Sequence, residues 1–309
     1  MYVIRDIANL SFNKKIGIVL GNFDGVHLGH VSLIKNLKNI TATYGYKSLV
    51  FTFDDHTLKT LDPSKAPSLL TTRSKKVKLI TDLYVDYLVM VKFNKEFSMM
   101  SDKDFIKNVL VDKLNVGYVI IGSDFRFGNN GEGNVETLKR FGKKYNYEVK
   151  VVPPVMMNGV KVSSSYIREL IKDGKVDIVP DYLGRYYSVE GSVIKGNNYG
   201  STLTGYPTAN LKIDRRMCLP PNGVYISRTF IDGTYYPSVT DIGFNPTFHN
   251  KNYSIETNIL DNFNMNLYGK HIEVEFLKFI RNDIEFKNIT LLKEKIASDI
   301  DSALNYFHS

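Results

Sequence analysis

The hydrophobic period of this chain changes partway along it, and that change limits what the chain can fold into. Before about residue 185, short apolar runs at 16–20, 47–53, 87–91, 118–121 and 148–152 alternate with segments of helical spacing near 31–39, 72–82, 103–114 and 135–145. Strand, helix and strand in succession predict a parallel sheet covered by helices, with ligands at the carboxyl ends of the strands. Past residue 185 the runs become short and alternating, at 187–194, 223–230, 234–241, 253–259 and 271–279, and Gly, Asn, Pro and Asp turns separate them. That pattern predicts an antiparallel sandwich or barrel. Residues 291–306 return to helical spacing. Two domains of different class follow, with the boundary near Asp181 to Tyr187.

Composition narrows the functional classes. The 309 residues are 43% hydrophobic, enough for real cores, and Cys218 is the one cysteine, so no internal disulfide forms. No run approaches the ~18 apolar residues of a membrane span, and residues 1–10 have no cleavable apolar core. The expected location is cytoplasmic, away from membranes. The net charge of +8 suits an anionic substrate, but the lysines are dispersed without a basic block, so no nucleic acid partner is expected. Tryptophan is absent, which leaves Tyr and Phe to stack on any flat ring.

The exit of the first central run carries the most chemistry. Ile18, Val19 and Leu20 lead into Gly21-Asn22-Phe23-Asp24-Gly25-Val26-His27-Leu28-Gly29-His30, and Val31, Leu33, Ile34 and Leu37 then recur at helical spacing. A strand-to-helix turn rich in glycine lets the backbone approach a ligand, and the positive end of the helix favours an anion such as phosphate. His27 and His30, three apart, fall on one face and could donate to phosphoryl oxygens. The same residues also fit a plain glycine-rich turn with exposed histidines, or, on count, a zinc set completed by His56.

Two further segments join it. Gly122-Ser123-Asp124-Phe125-Arg126-Phe127-Gly128 ends a strand and offers a carboxylate, an arginine and two phenylalanines, suited to a ribose, a phosphate and an aromatic ring. It also fits a tight turn with both rings in the core. Ser163-Ser164-Ser165-Tyr166-Ile167-Arg168 opens a helical run, where the serines could cap the helix or, with Arg168, clamp phosphate oxygens.

In the second half, Gly205-Tyr206-Pro207-Thr208-Ala209-Asn210-Leu211 puts a hydroxyl and an amide oxygen on one side if extended. These are hard ligands suited to magnesium with ATP. A Pro-Thr turn with a capping Asn is the other reading.

Taken in order, these segments resemble the bifunctional bacterial riboflavin kinase/FMN adenylyltransferases, or FAD synthetases. The decapeptide is similar to their His-x-Gly-His signature, and 205–211 to their Pro-Thr-Ala-Asn motif. As in that family, Pro221-Asn222-Gly223-Val224-Tyr225, Ile242-Gly243-Phe244-Asn245-Pro246-Thr247-Phe248, Glu256, Leu267-Tyr268-Gly269 and 281–286 follow. The resemblance implies an α/β fold: a Rossmann-like nucleotidyltransferase domain with a parallel sheet (1–184), then an antiparallel β-barrel riboflavin kinase domain ending in a helix (185–309). It implies that His27 and His30 are catalytic and contact ATP phosphates. Gly21, Asn22, Phe23, Gly29 and Asp124 would line the nucleotide, and Ser164, Ser165 and Arg168 would hold its triphosphate. Thr208 and Asn210 would ligate Mg2+ with a second ATP, and Glu256 would be the general base on riboflavin. Substrates and products are then riboflavin, FMN, FAD and ATP, all small molecules, while the oligomeric state stays open.

The chain also departs from the family pattern. Thr52-Phe53-Asp54-Asp55-His56-Thr57 lacks two prolines, 200–208 lacks an arginine and is one residue longer, and 256–262 lacks a histidine and a phenylalanine. Lys195 or Arg185 could supply the missing charge. Two other readings stay open: an adenylyltransferase whose kinase loop has drifted, and a flavin-binding regulator.

Overall fold

A computed structural model describes residues 1–195, 208–244, 253–260, 265–284 and 289–308. Contacts divide the chain into two units, Met1–Ser164 and Ser165–Ser309.

The first unit is built on a six-stranded sheet of order β1-β4-β3-β2-β5-β6, every pair parallel. Its strands are β1 (Tyr2–Ile4), β2 (Ile16–Leu20), β3 (Lys47–Phe53), β4 (Tyr87–Val91), β5 (Val116–Gly122) and β6 (Glu148–Val152). The helices between them are α1 (Leu28–Tyr44), α2 (Leu58–Leu61), α3 (Arg73–Thr81), α4 (Lys95–Ser98), α5 (Asp102–Asp104), which runs on as a π-helix over Phe105–Lys113, and α6 (Val135–Tyr145). A small hairpin, β7 (Met156–Met157) and β8 (Val160–Lys161), ends the unit.

Period-two alternation explains why helices cover both faces. Ile18, Leu49, Phe51, Val89, Val119 and Ile121 enter one core with Phe105, Ile106, Val109 and Leu110 of the π-helix and Leu138 of α6. Val19, Val50, Leu88, Met90 and Ile120 enter the other, with Ile34, Leu37 and Ile40 of α1 and Ile80 of α3. Gly17 lets α1 lie close to β2, since a Cβ there would stand 2.6 Å from Thr41 Cγ2. The five strands expected in this half are present, with β5 two residues longer at its start and one at its end. The short edge strand β1 was not foreseen, because Tyr2 and Val3 are exposed and carry no alternation.

In the second unit α7 (Ser164–Lys172) continues from the first, and α8 (Val179–Leu183) precedes a closed six-stranded barrel of order β10-β13-β12-β11-β14-β9. The barrel strands are β9 (Tyr187–Ile194), β10 (Ala209–Ile213), β11 (Gly223–Ile231), β12 (Thr234–Phe244), β13 (Tyr253–Ile259) and β14 (His271–Arg281), all antiparallel. The final helix α9 (Ile289–His308) packs Ala303 into a core with Val224, Ile226, Val239 and Leu277. Of the two antiparallel forms expected, the barrel is the one found. On the opposite face of these strands, Ser227, Thr229, Ser238, Thr240 and Thr257 are at most 1% exposed and satisfy one another through hydroxyl bonds of 2.7–3.4 Å.

Candidate active sites

Three residues of the decapeptide turn have positive φ: Phe23 at 49°, Gly25 at 81° and Val26 at 42°. For a β-branched valine this is a strained conformation that needs support from its surroundings. Asp24, 4% exposed, supplies it. Its carboxylate accepts the N–H groups of Leu70 and Thr71 and the Thr71 hydroxyl at 3.1–3.2 Å, and Thr71 Oγ1 accepts Gly25 N–H at 3.2 Å. On the other side of the turn, the Asn22 carbonyl accepts from Thr52 Oγ1 and Lys76 Nζ, each at 3.0 Å. Ser164 Oγ donates to the Asp24 carbonyl at 2.9 Å.

His27 caps α1. Its Nδ1 accepts the backbone N–H of His30 at 3.4 Å, and the two rings stack with centroids 3.7 Å apart. With Nδ1 accepting, the ring proton of His27 is placed on Nε2. His30 Nδ1 is sealed from solvent and has no hydrogen-bond partner. Burial, then the neighbouring His27 and Lys76, hold the His30 pKa well below the ordinary imidazole value, so the ring is neutral. Gly29 makes room for this pair, because a Cβ there would lie 3.0–3.1 Å from the His27 ring.

Two cavities meet at Leu20, Gly21, Asp124 and Phe125. One, of about 220 Å³, is lined by His27, Gly29, His30, Ser163 and Lys161 and suits a polyphosphate chain. The other, about 400 Å³, takes Asn22 and Arg126 at its wall, and Phe51, Phe53, Phe93, Phe97, Phe105 and Phe127 line it together with Leu61 and Met100. A large flat ring is what such a surface accommodates. Asp124, at the join, pairs with Lys161 Nζ at 2.5 Å, which lowers its pKa.

Of the expected residues, Gly21, Asn22, Gly29, His27, His30 and Asp124 are gathered at these cavities. Phe23 is fully buried, so only its backbone is available to a ligand. Ser165 is exposed on α7, and Arg168 is buried one turn beyond Ser164. His56 stands apart, with Nδ1 accepting Leu58 N–H at 3.2 Å, and among the described residues no three His, Cys, Asp or Glu side chains gather to hold a metal. The reading of the sequence gave no role to Asp24, Thr71, Lys76 or Lys161. The cavity phenylalanines, apart from 125 and 127, were likewise not singled out.

In the barrel, Asp241 of β12, Glu256 of β13 and Asn210 of β10 stand opposite one another on three adjacent strands, hence on one face. Thr208 Oγ1 donates to Glu256 Oε2 at 3.3 Å and Ser254 Oγ to Oε1 at 3.0 Å. A hydroxyl and a carboxylate are thus joined here, with Asn210 at the neighbouring register position, and all three are hard oxygen donors. Arg281 is locked to Asp299 of α9 by bonds of 2.7–3.1 Å. Arg185 is half-buried beside Glu273 and Glu275, its pKa lowered to about 10 mainly by burial, and Lys195 is exposed. Residues 200–207, including Gly205, Tyr206 and Pro207, lie outside the described residues, as do 245–248, 261–262 and 285–286 of the other motifs.

Each half of the chain is similar to a known family. The FAD synthetase family matches residues 10–166 and the riboflavin kinase family residues 183–307. Proteins named bifunctional riboflavin kinase/FMN adenylyltransferase are 38% identical in Buchnera aphidicola subsp. Schizaphis graminum, 34% in Escherichia coli K12 and 37% in Bacillus subtilis 168. Those alignments cover 100, 99 and 94% of this chain and 99, 98 and 92% of the relatives. A crystal structure from Streptococcus pneumoniae, titled as a macrolide-efflux protein, shares the fold with a TM-score of 0.88 at 28% identity over 98% of both chains. Among the described residues here, no helix is long and apolar enough to cross a membrane. With two family matches in tandem and relatives above 30% identity along the whole length, the chain belongs to the bifunctional riboflavin kinase/FMN adenylyltransferases.

Proposed function

We propose that the chain makes FAD from riboflavin in two ATP-dependent steps at two separate sites, phosphorylation in the barrel domain (185–309) and adenylylation in the nucleotidyltransferase domain (1–184). The observation that carries this is the pairing of a stacked histidine couple with a phenylalanine-lined cavity across a shared wall.

In adenylyl transfer, a phosphate oxygen of FMN bonds to the α-phosphorus of ATP, and the bond to the β-phosphate bridge breaks, releasing pyrophosphate. No enzyme nucleophile is required. The chain's task is to align two anions that repel each other and to stabilise charge on the phosphorus. The phenylalanine cavity supplies the seat for the isoalloxazine ring, Gly21 and Asn22 line the way to the phosphates, and His27 and His30 donate N–H bonds to them. Ser164, Ser165 and Arg168 bind the triphosphate.

In the kinase step, Glu256 takes the proton of the riboflavin 5′-hydroxyl as that oxygen attacks the γ-phosphorus and ADP leaves. Thr208 and Asn210 would hold magnesium, which when bound would offset phosphate charge. The protein works in the cytoplasm on small molecules. Incubation with riboflavin, ATP and Mg2+ should give FMN and then FAD by chromatography. Absence of FMN rejects the kinase, and FMN that never becomes FAD rejects the adenylyltransferase.

A further inference from the structure

Lys76 is an unusual lysine. It lies on α3, in a stretch (Arg73-Ser74-Lys75-Lys76-Val77-Lys78) that reads as a solvated basic helix, yet it is only 6% exposed. A buried ammonium must find acceptors. It has two main-chain carbonyls, Asn22 at 3.0 Å and Phe53 at 3.3 Å. The first belongs to the histidine turn at the end of β2, and the second is the last residue of β3, whose ring faces the aromatic cavity. One cation therefore joins the two strand ends that border the acceptor cavity.

The joint has a geometric consequence. A trans peptide is planar, so a carbonyl pulled toward Lys76 sends the N–H of the next residue the opposite way. Drawing in the Asn22 carbonyl thus fixes the plane of the Asn22–Phe23 peptide, where the chain enters the left-handed region. Thr52 Oγ1 assists at the same oxygen. The charge has a consequence as well. Lys76 faces Asp24 in the turn, Asp54 and Asp55 after β3, and Arg73 on its own helix; burial lowers its pKa and the three carboxylates raise it again. It is also, with His27, one of the two charged or titratable neighbours that disfavour a proton on His30.

We infer that Lys76 is a positioning residue for adenylyl transfer: its ammonium fastens the histidine turn to the end of β3 and so fixes the Asn22–Phe23 peptide that leads the chain to His27 and His30. This rests on the assignment of His27 and His30 to the nucleotide site.

The test uses the full chain, with Lys76→Met, Lys76→Arg and His30→Ala. FAD formation from FMN, ATP and Mg2+ is measured beside riboflavin phosphorylation in the same preparation. His30 is titrated by NMR of the imidazole carbons, its signal identified by its loss in His30→Ala. Lys76→Met should lower kcat for FAD formation at least about tenfold, raise the His30 titration above that of the wild type, and leave phosphorylation within about twofold. An unmoved His30 titration or an unmoved kcat overturns the proposal. If Lys76→Met does not fold, Lys76→Arg decides. Its retained charge must hold His30 at its wild-type titration, and a rise there overturns the proposal equally. FAD formation that survives in His30→Ala would instead remove the site assignment on which the role of Lys76 depends.

Discussion

His27 and His30 stack with their planes 18° from parallel, and the backbone N–H of the second donates to Nδ1 of the first. One turn of α1 thereby fixes both rings, one by capping and the other by packing on it. His30→Ala removes a donor without disturbing the cap. Loss of one such donor costs about 10²–10³ in rate, so FAD formation should fall by that factor while FMN formation persists. A folded His30→Ala protein that lost both activities would contradict independent sites.

The same ring predicts an acid-side loss of stability. The folded pKa of His30 lies well below 6.5, so below that pH the unfolded chain takes up a proton that the native chain refuses. Native stability then falls as pH drops, by up to about 1.4 kcal/mol per pH unit from this group. His30→Gln should remove that portion of the slope, leaving stability at pH 8 free of it. Urea denaturation at intervals between pH 5 and 8 measures the difference between the two proteins.

Gly29→Ala separates stability from activity. Gly29 lies in the first turn of α1 with φ outside the left-handed region, so alanine suits the backbone and gains at most about 1 kcal/mol of helix propensity. Its methyl group would press on His27 Cε1 and Nδ1 at 3.0–3.1 Å. The expected outcome is an unchanged or higher melting temperature with FAD formation lowered at least about tenfold, and riboflavin phosphorylation untouched.

Why parts of this arrangement were legible beforehand, and others not, follows from how each residue is used. β2 is five buried aliphatic or glycine positions, a pattern water alone would not permit at the surface, and the glycines and histidines after it advertise close backbone approach. Thr208 and Asn210 show locally as a hydroxyl and an amide two residues apart, but Glu256 could be named only through the motif resemblance, because cross-strand partners in a barrel are separated in sequence by dozens of positions. β10 was not named as a strand, although Ala209, Leu211 and Ile213 alternate with Asn210 and Lys212 with a strand's period of two. Lys76 and Asp24 were invisible for a different reason: nothing local distinguishes a buried charge from a solvated one until its carbonyl or amide partners, some 50 residues away, are known.

The aromatic cavity yields a prediction about binding. Phe97 makes ring contacts with Phe51, Phe53, Phe93 and Phe105 at centroid distances of 5.4–6.4 Å and forms part of the wall. Phe97→Ala should raise KM for FMN about tenfold, the value of one good aromatic contact. KM for riboflavin in the kinase reaction should stay as it is. Equal changes in both constants would argue against a flavin seat in this cavity.

Asp241 gives the last prediction, and its sign is the reverse of that for His30. It stands opposite Glu256, one of its carboxylate oxygens is buried without a hydrogen-bond partner, and its pKa is raised to about 7 by burial first and then by Asp283 and Glu256, against the opposing pull of Arg281. A folded pKa above the unfolded one means that the native barrel keeps a proton which the unfolded chain releases once pH passes about 4. Stability contributed by the neutral acid is present at low pH and lost as pH rises through about 7. Asp241→Asn has a permanently neutral group of the same shape, so it should match wild type near pH 4 and exceed it at pH 8 in urea midpoint. Because Glu256 keeps its Thr208 and Ser254 donors, the variant should still form FMN, whereas Glu256→Gln should abolish FMN formation and yet make FAD when FMN is supplied.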